Sequence, residues 1–176
     1  MQTGRSPILP IDTGADPWVF TTGKGIFSTA VIGGDNSVYV GSGDRVFYKL
    51  DENGREVWSV LTGEVVDSSA LLDDQGIVYF GSGDGFFYAL DREDGSQIWR
   101  FEADPPSVNG ALINWFEGNV AMGVDGTLYV PNDNRCTYAL DRATGMPSWC
   151  FVTRDQTWSL PALNPQTNRL FMGSNY

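Results

Sequence analysis

The sequence predicts an all-β protein built from repeated units, and three periodic markers support this prediction. Tryptophan recurs at intervals of 40, 41 and 50 residues, at Trp18, Trp58, Trp99 and Trp149. The pattern Tyr-x-Leu-Asp recurs at intervals of 40 and 50 residues, starting at Tyr48, Tyr88 and Tyr138. Pairs of an apolar and an aromatic residue keep the same spacing, at 38–39, 78–79, 128–129 and, more weakly, 170–171. Three markers that agree on one period indicate a structural repeat.

Each repeat contains short segments typical of β-strands, bounded by clusters of Gly, Asp and Asn. In the second repeat these segments predict four strands, at about 68–72, 77–81, 86–91 and 97–102. No segment has the apolar spacing of an amphipathic helix, so almost no helix is expected. Four antiparallel strands in a repeat of this length are the unit of a β-propeller. The fold class that follows is a partial β-propeller of about three and a half four-stranded antiparallel blades.

The repeats also predict the domain boundaries. An N-terminal tail is expected at 1–15, followed by propeller blades over 16–176. The blades are placed at about 24–62, 64–103 and 104–153, with an incomplete blade at 154–176. Closed propellers need at least four blades, so we expect the chain to be a fragment whose open ends meet the rest of the propeller. The alternative is that a second copy of the chain covers these ends.

The sequence Gly-Ser-Gly-Asp occurs at 41–44 and at 81–84, each time directly after a predicted strand. A phosphate-binding loop would have this glycine content, but it needs the N-terminus of a helix behind it. Here another strand is predicted instead. We therefore interpret both copies as tight turns between the second and third strands of a blade, in which glycine supplies a positive φ.

Composition excludes several classes of function. The chain has 11 Lys and Arg against 22 Asp and Glu, a net charge of −11, so neither nucleic acid nor an anionic membrane is an expected partner. The absence of histidine removes Ser-His-Asp and Cys-His catalysis and nearly every zinc site. The acidic turns at 51–54 and 91–95 do not match a calcium-binding loop, so no metal ligand is predicted. No catalytic residue is predicted either.

No apolar run in the sequence is long enough to span a bilayer, so membrane insertion is not expected. The first seven residues lack the apolar region of a signal peptide. A periplasmic or extracellular location is therefore expected only if a signal lies in a segment that precedes this chain.

The segments 89–99 and 139–149 read Ala-x-Asp-x-x-x-Gly-x-x-x-Trp, and the segment 49–58 is one residue shorter and lacks the alanine. Together with VYFGSGDGFFY at 78–88, they closely resemble the pyrroloquinoline-quinone (PQQ)-type repeat of quinoprotein β-propellers, over about residues 16–176. The resemblance implies that Trp18, Trp58, Trp99 and Trp149 dock between neighbouring blades. A large indole with a single N–H to satisfy favours the same structural role.

The resemblance leaves two functions open. Quinoprotein dehydrogenases of this kind bind PQQ with Ca²⁺, use a catalytic Asp and often carry a disulfide between adjacent cysteines, whereas the two cysteines here are not adjacent. Other relatives bind no quinone and act as interaction surfaces, among them the periplasmic lipoprotein of outer-membrane β-barrel assembly. We expect a non-catalytic, cofactor-free scaffold of the cell envelope that binds proteins, with a fragment of a PQQ-dependent dehydrogenase as the alternative. A carbohydrate site using Trp115 and Trp158 is a third hypothesis.

Function is expected where the repeat is interrupted, which is in the third repeat. Taking Ala121 as the counterpart of Ala30 and Ala70 places an insertion at 104–118, between two blades. Such loops share a face with the turns between second and third strands, around the mouth of the central channel. The candidates for binding a protein or peptide there are Lys24, Asp44, Asp67, Asp84, Asn109, Asn114, Trp115, Phe116, Asp133 and Trp158. The alternative for Trp115 and Phe116 is that they plug the channel or form the insertion's own small core.

The two cysteines, Cys136 and Cys150, are candidates for a disulfide. If the hairpin loop is 141–145, Leu140 faces Met146, and Cys136 is then directly opposite Cys150 on the third and fourth strands. Opposed Cα atoms lie about 4.5 to 5.5 Å apart, which is within the range of a disulfide. We expect the bond in an exported protein.

Overall fold

The computed structural model describes residues 17–164, 166–167 and 169–175, and it confirms an all-β partial propeller. Three four-stranded antiparallel sheets follow one another along the described residues, each with its strands in chain order, and a two-stranded sheet follows them. Each sheet lies within one of the predicted blade segments. The predicted tail at 1–15 lies outside the described residues, as does the last residue of the segment 154–176.

The strands are short and have clear turn residues between them. The first sheet contains β1 (Val31–Ile32), β2 (Val38–Gly41), β3 (Val46–Leu50) and β4 (Glu56–Leu61). The second contains β5 (Leu71–Leu72), β6 (Ile77–Gly81), β7 (Phe86–Asp91) and β8 (Gln97–Glu102). The third contains β9 (Ala121–Met122), β10 (Thr127–Pro131), β11 (Cys136–Asp141) and β12 (Pro147–Val152), and the last contains β13 (Ala162–Asn164) and β14 (Arg169–Phe171).

The described residues contain one helical segment, a single 3₁₀ turn at Pro106–Asn109. The near absence of helix predicted from the sequence is therefore confirmed for this part of the chain. None of the described residues belongs to a helix long and apolar enough to cross a membrane.

The first strand of the second blade is shorter than predicted. In the second blade β6, β7 and β8 have the predicted bounds, whereas β5 begins at Leu71 rather than Ser68. The Ser68 hydroxyl hydrogen-bonds both backbone groups of Gly81, at 2.6 and 3.0 Å. A side chain thus replaces the backbone pairing that would extend this strand, and Ser28 makes the same pair of bonds with Gly41.

The hydrophobic core lies between successive blades. Phe47 of the first blade stacks on Phe80 of the second, with ring centroids 4.0 Å apart, and Phe80 stacks in turn on Tyr88. A second cluster joins Phe87 and Tyr138 of the second and third blades. Because these side chains are buried only when two blades are adjacent, blade packing rather than any single sheet provides the apolar burial that stabilises the fold.

Trp18, Trp58 and Trp99 each connect their own unit to the blade that follows it. Each indole N–H donates to a carbonyl in the next outer hairpin at 3.0–3.2 Å, and the pairs are Trp18 with Glu52, Trp58 with Arg92 and Trp99 with Arg142. The ring covers a glycine of the same hairpin. A Cβ on Gly95, whose φ is +74°, would lie 2.8 Å from the Trp58 ring. This contact and the positive φ explain why the repeat requires Gly between Asp and Trp.

Cys136 and Cys150 form a disulfide between β11 and β12, with Cα atoms 5.7 Å apart. The predicted register, however, is wrong. Cys136 pairs with Val152 and Cys150 pairs with Tyr138, so the two cysteines are diagonal neighbours rather than directly opposed. Diagonal positions still bring the Cα atoms within the distance that a disulfide spans.

A β-bulge causes this difference in register. Leu140 pairs with Pro147 and Ala139 pairs with Trp149, which leaves Ser148 without an opposing residue. The same irregularity occurs one residue before the tryptophan in the other two complete blades, at Val57 and Ile98. The bulge is therefore part of the repeat, and it adds a residue that a simple hairpin count omits.

The disulfide is expected to stabilise the protein appreciably. Replacing both cysteines, Cys136→Ala with Cys150→Ala, should lower the free energy of unfolding by about 2 to 3 kcal/mol, because the bond closes a loop of 14 residues. Urea unfolding of the oxidised protein and of the double variant measures this difference. Reduction of the unmutated protein should reproduce it, and equal stability of all three forms would contradict the prediction.

Candidate functional site

One face of the blades carries most of the predicted site residues. We call it the turn face; it comprises the turns at 42–45, 82–85 and 132–135 and the linking segments at 22–28, 62–68 and 103–118. In each blade a turn N–H donates to a carbonyl of a linking segment at 2.8–2.9 Å, from Gly43 to Gly25, Gly83 to Val65 and Asp133 to Trp115. These hydrogen bonds hold the insertion and the turns on the same face.

The two Gly-Ser-Gly-Asp sequences are turns, as predicted, but the role assigned to their glycines is wrong. The positive φ belongs to the residue after the aspartate, which is Arg45 (75°) or Gly85 (84°), and in the third blade to the equivalent Arg135 (69°), which follows Asn134. Gly41 and Gly81 are required for close approach instead. A Cβ at Gly41 would lie 2.4 Å from the carbonyl oxygen of Val66, and one at Gly81 would collide with Phe116.

Asp44 and Asp84, predicted for the binding face, hold the turns together. Asp44 accepts hydrogen bonds from the Tyr48 hydroxyl (2.8 Å) and from the backbone N–H groups of Gly23 (2.7 Å) and Val46 (3.1 Å). Partial burial alone would raise the pKa of Asp44, but these hydrogen bonds outweigh it and hold the pKa below its usual value. Asp84 accepts the same three kinds of hydrogen bond, from one tyrosine hydroxyl and two backbone N–H groups. Both carboxylates therefore serve to stabilise the turns.

The insertion is shorter than predicted. The N–H of Phe116 donates to the Ser82 carbonyl as the N–H of Val66 donates to that of Ser42, so these two residues are equivalent. Residues 114–118 therefore correspond to 64–68, the segment that leads into the second blade. The residues without a counterpart in that segment are 105–113. The register also pairs Ala121 with Tyr129 as Leu71 pairs with Tyr79. The counterpart of Ala30 and Ala70 is therefore Val120, one residue before the predicted Ala121.

Phe116 is a core residue, which corrects its placement on the binding face. Its side chain is fully buried and contacts the rings of Phe87, Phe101 and Tyr138. Trp115 lies at the edge of this cluster, half-buried, with its ring against the backbone of Gly83. Of the two aromatic candidates, only Trp115 has surface on the turn face.

The remaining polar candidates have different surroundings. Lys24 is exposed, whereas Asn109 and Asn114 are half-buried. The carbonyl of Asn109 accepts a long hydrogen bond from Arg135 (3.5 Å), and that of Asn114 accepts one from Asn132 (2.7 Å). Asn109 therefore attaches the insertion, and Asn114 the residue just after it, to the turn at 132–135.

The insertion exposes two apolar side chains that the sequence analysis missed. Val108 lies outside the core with 65% of its surface exposed, and Leu112 is 93% exposed. A 3₁₀ turn followed by Gly110 in the left-handed conformation holds this segment on the turn face. Trp158, which was predicted for the same face, is 51% exposed. The unequal length of the third repeat was the available signal for this surface.

Three carboxylates of the turn face influence one another in sequence: the charge of Asp67 acts on Glu117, and the charge of Glu117 acts on Asp133. Asp67 and Glu117 occupy equivalent places in successive linking segments, and Glu117 was missed by the sequence analysis. Burial raises the pKa of Glu117, and the neighbouring Asp67 raises it further. Burial also raises the pKa of Asp67. The pKa of Asp133 shifts most. Burial and then the charge of Glu117 raise it to about 7, although a hydrogen bond from the Trp158 indole partly offsets the rise.

A groove of about 640 Å³ lies on the opposite side, between the first two blades. Several of its charged groups are already engaged within the protein. Lys49 donates to the carbonyl of Arg92 at 2.8 Å and lies 3.8 Å from Asp35. We therefore assign the candidate site to the turn face.

The charge of the turn face is unfavourable for an anionic quinone cofactor. PQQ is a polycarboxylate, and the partly buried Asp67, Glu117 and Asp133 would repel it. No three acidic or cysteine side chains within the described ranges are grouped so that they could hold a metal ion.

Comparison with solved structures shows the same fold in larger proteins. BamB from Moraxella catarrhalis is 23% identical with a TM-score of 0.68, and the match covers 84% of this chain and 42% of that one. The quinohemoprotein alcohol dehydrogenase ADHIIG from Pseudomonas putida HK5 is 20% identical with a TM-score of 0.72, over 88% of this chain and 29% of that one. A related dehydrogenase from Comamonas testosteroni is 18% identical, with a TM-score of 0.67 over 86% and 29%. The chain thus spans less than half of each.

Sequence identities this low establish only the fold. The family is identified by a family model instead. No curated protein matches the chain. The model described as outer membrane protein assembly factor BamB matches residues 8–115, which is more than half of the chain. The repeat in those residues is the PQQ-type blade that the sequence pattern predicted, and the protein therefore belongs to the BamB family of propeller repeat proteins.

Proposed function

We propose that this chain is part of a non-catalytic propeller of the cell envelope that binds another protein through its turn face and needs no quinone cofactor. The partner is a protein of outer-membrane assembly, the process that the name of the matching family describes. The proposal is based on the candidate site rather than on the fold, because a dehydrogenase has the same fold.

The observation that carries this proposal is the pair of apolar side chains on the insertion. Val108 and Leu112 extend from the turn face into solvent, on the one segment that the other blades lack. Exposed apolar groups that the fold does not use for its own packing are typical of protein–protein interfaces. The half-exposed Trp158 adds a residue type that often dominates binding energy.

The dehydrogenase alternative is disfavoured by electrostatics. A quinone with several carboxylates would have to approach Asp67, Glu117 and Asp133, whose pKa values are already raised by burial. A protein partner does not meet this obstacle, because it can supply positive charge to the same face.

Site-specific photo-cross-linking tests the proposal. A photoreactive amino acid at position 112 should capture a partner from the envelope fraction of the source cells, whereas the same group at position 98 should not. Ile98 is a suitable control because it is also apolar and exposed but lies on the outer strand β8. Once the captured protein is identified and purified, Val108→Asp with Leu112→Asp should weaken its binding by about tenfold or more, while Ile98→Asp leaves affinity unchanged.

Two results would contradict the proposal. One is equal loss of affinity in the insertion variant and in Ile98→Asp. The other is a bound-quinone absorbance with dye reduction after the protein is supplied with PQQ and Ca²⁺, which would establish the dehydrogenase alternative. Unchanged melting temperatures of both variants confirm that binding, rather than folding, is being measured.

A further inference from the structure

We propose that the groove between the first two blades binds the carboxylate group of a small ligand through Lys49 and Arg92. The groove has a volume of about 640 Å³, a size typical of small-molecule sites, and both cationic side chains line it. It shares no residue with the turn face, so this inference goes beyond the proposed function and does not depend on it.

The first argument is a buried charge that departs from the repeat. Lys49 is only 7% exposed and stands opposite Tyr39 in the first blade. The residue at this place in the next two blades is alanine, at 89 and 139. A repeat that buries a lysine where its other copies have alanine departs from its own structural rule, as functional sites do.

The second argument is the state of the Arg92 guanidinium. Its Nη1 donates to the Asp73 carbonyl over a long 3.4 Å, and its Nε is buried without a hydrogen-bond partner among the described residues. An arginine binds a carboxylate by donating two parallel hydrogen bonds from one edge of the guanidinium. Arg92 is half-buried in the wall of the groove, so a rotation of its side chain presents the edge that contains Nε to a ligand.

The third argument comes from the second blade, where the protein itself supplies a carboxylate. There the Tyr79 hydroxyl donates to the carboxylate of Asp73 at 3.0 Å. The strand register makes Gly33 the counterpart of Asp73 in the first blade. Tyr39, the counterpart of Tyr79, has a buried hydroxyl for which the described part of the chain offers no partner. The first blade therefore lacks an acceptor that the second blade provides.

The polar groups that need an acceptor are neighbours around the ring of Tyr39. The Nζ of Lys49 lies 5.6 Å from the ring centroid, and the guanidinium carbon of Arg92 lies 5.9 Å from it. A Cβ at Gly33 would lie 3.4 Å from Nη2 of Arg92 and 3.3 Å from Cε2 of Tyr39. A carboxylate held by the two cations would thus take a place similar to that of the Asp73 carboxylate in the second blade.

Asp35 is the nearest carboxylate of the first blade, but it is used elsewhere. It accepts hydrogen bonds from the N–H and the hydroxyl of Ser37, and its distance of 3.8 Å from Nζ of Lys49 is too long for a hydrogen bond. Its side chain is 50% exposed, so it can move away from an arriving ligand.

The other acidic residues of the groove limit the charge of the ligand. Asp74 is paired with Arg142 at 3.1 Å, whereas Asp91 and Glu93 add negative charge to the lining. A phosphate ester or a dicarboxylate would bring two negative charges against this lining. The ligand that fits is therefore a monocarboxylate.

A titration followed by nuclear magnetic resonance tests this inference. The probe is N-acetylglycine at fixed ionic strength, and the readouts are the Nε–H resonance of Arg92 and the indole N–H resonance of Trp58, which donates to the Arg92 carbonyl. We expect saturable shifts with N-acetylglycine and none with N-acetylglycinamide, which has a similar size but no carboxylate. Lys49→Ala, which introduces the residue of the other blades, should weaken binding about tenfold, the effect of losing one charge-assisted hydrogen bond. Arg55→Gln is the matched control, because it removes a positive charge from an exposed position of the same blade and should not change the affinity.

Gly33→Asp keeps the inference testable if Lys49→Ala is unstable. Gly33 is not among the glycines with a positive φ, so its backbone accepts the aspartate that the second blade has at this place. The new carboxylate should pair with Arg92 and abolish binding of N-acetylglycine.

The carboxylate of a natural ligand has two possible sources, and N-acetyl-Gly-Gly-Gly distinguishes them. Tighter binding than that of N-acetylglycine assigns the groove to the C-terminus of a peptide, and equal or weaker binding assigns it to a small free acid. The inference is overturned by the absence of saturable shifts, by equal shifts with N-acetylglycinamide, by an equal loss in Arg55→Gln, or by unchanged binding in Gly33→Asp.

Discussion

Trp99→Ala is expected to lower the free energy of unfolding by about 3 to 5 kcal/mol, the range for deleting a large buried aromatic side chain. Trp99 is only 9% exposed and contacts the rings of Tyr79 and Phe87. Its N–H donates to Arg142 of the next blade at 3.0 Å. Removing the indole therefore creates a cavity and also breaks the connection between the second and third blades. Urea unfolding monitored by the remaining aromatic residues measures the loss.

The chain provides a matched control for this prediction. Trp149 has the same place in the third blade but is 46% exposed, with a ring contact to Tyr129. Trp149→Ala should cost on the order of 1 kcal/mol, as expected for a partly exposed side chain. If the two variants lose equal stability, packing against the following blade is not what makes this position important.

Asp133→Asn is expected to stabilise the protein at neutral and alkaline pH, by on the order of 4 kcal/mol above pH 7. Burial and the charge of Glu117 raise the pKa of Asp133 from its usual 3.8 to about 7. The folded state therefore binds this proton more tightly than the unfolded state. The stability associated with the protonated form is present in full below pH 4 and is lost as the pH rises from about 4 to 7. Asparagine cannot ionise and avoids this loss.

Unfolding curves between pH 4 and pH 8 measure the effect. The difference between Asp133→Asn and the unmutated protein should be small at pH 4 and should grow to its full value above pH 7. A difference in stability that does not depend on pH would contradict the assigned ionisation.

Asp44→Asn supplies a comparison of opposite sign. Hydrogen bonds from Tyr48, Gly23 and Val46 hold the pKa of Asp44 below its usual value, despite partial burial. The stability that Asp44 contributes is present above its unfolded pKa and is lost as the pH falls through the folded value. Asp44→Asn should therefore destabilise the protein at neutral pH, whereas Asp133→Asn stabilises it.

The blade and most of its strands follow from the sequence, because they depend on local chemistry. Turn residues and strand-forming residues alternate with a fixed period, so β6, β7 and β8 have the bounds that the pattern predicts. The spacing of Trp99 from the preceding Gly95 likewise belongs to the repeat and was visible without a structure. A sequence pattern of this kind cannot reveal a residue that takes no part in strand pairing. The β-bulge at Ser148 consequently shifted the register of the cysteines from the predicted one.

The candidate site depended on tertiary structure for a different physical reason. The sequence left Phe116 either on the binding face or in a plug or small core of a longer insertion, but the repeating hydrogen bond from its N–H to Ser82 and its full burial place it in the core between blades. Asp133 looked like one acidic turn residue among several, and only the packing of separate chain segments leaves it fully buried and close enough to Glu117 to feel its charge. Local sequence by itself determined that the protein is made of PQQ-type blades. Which side chains those blades bury, and which carboxylates they force together, was decided by contacts between residues far apart in the chain.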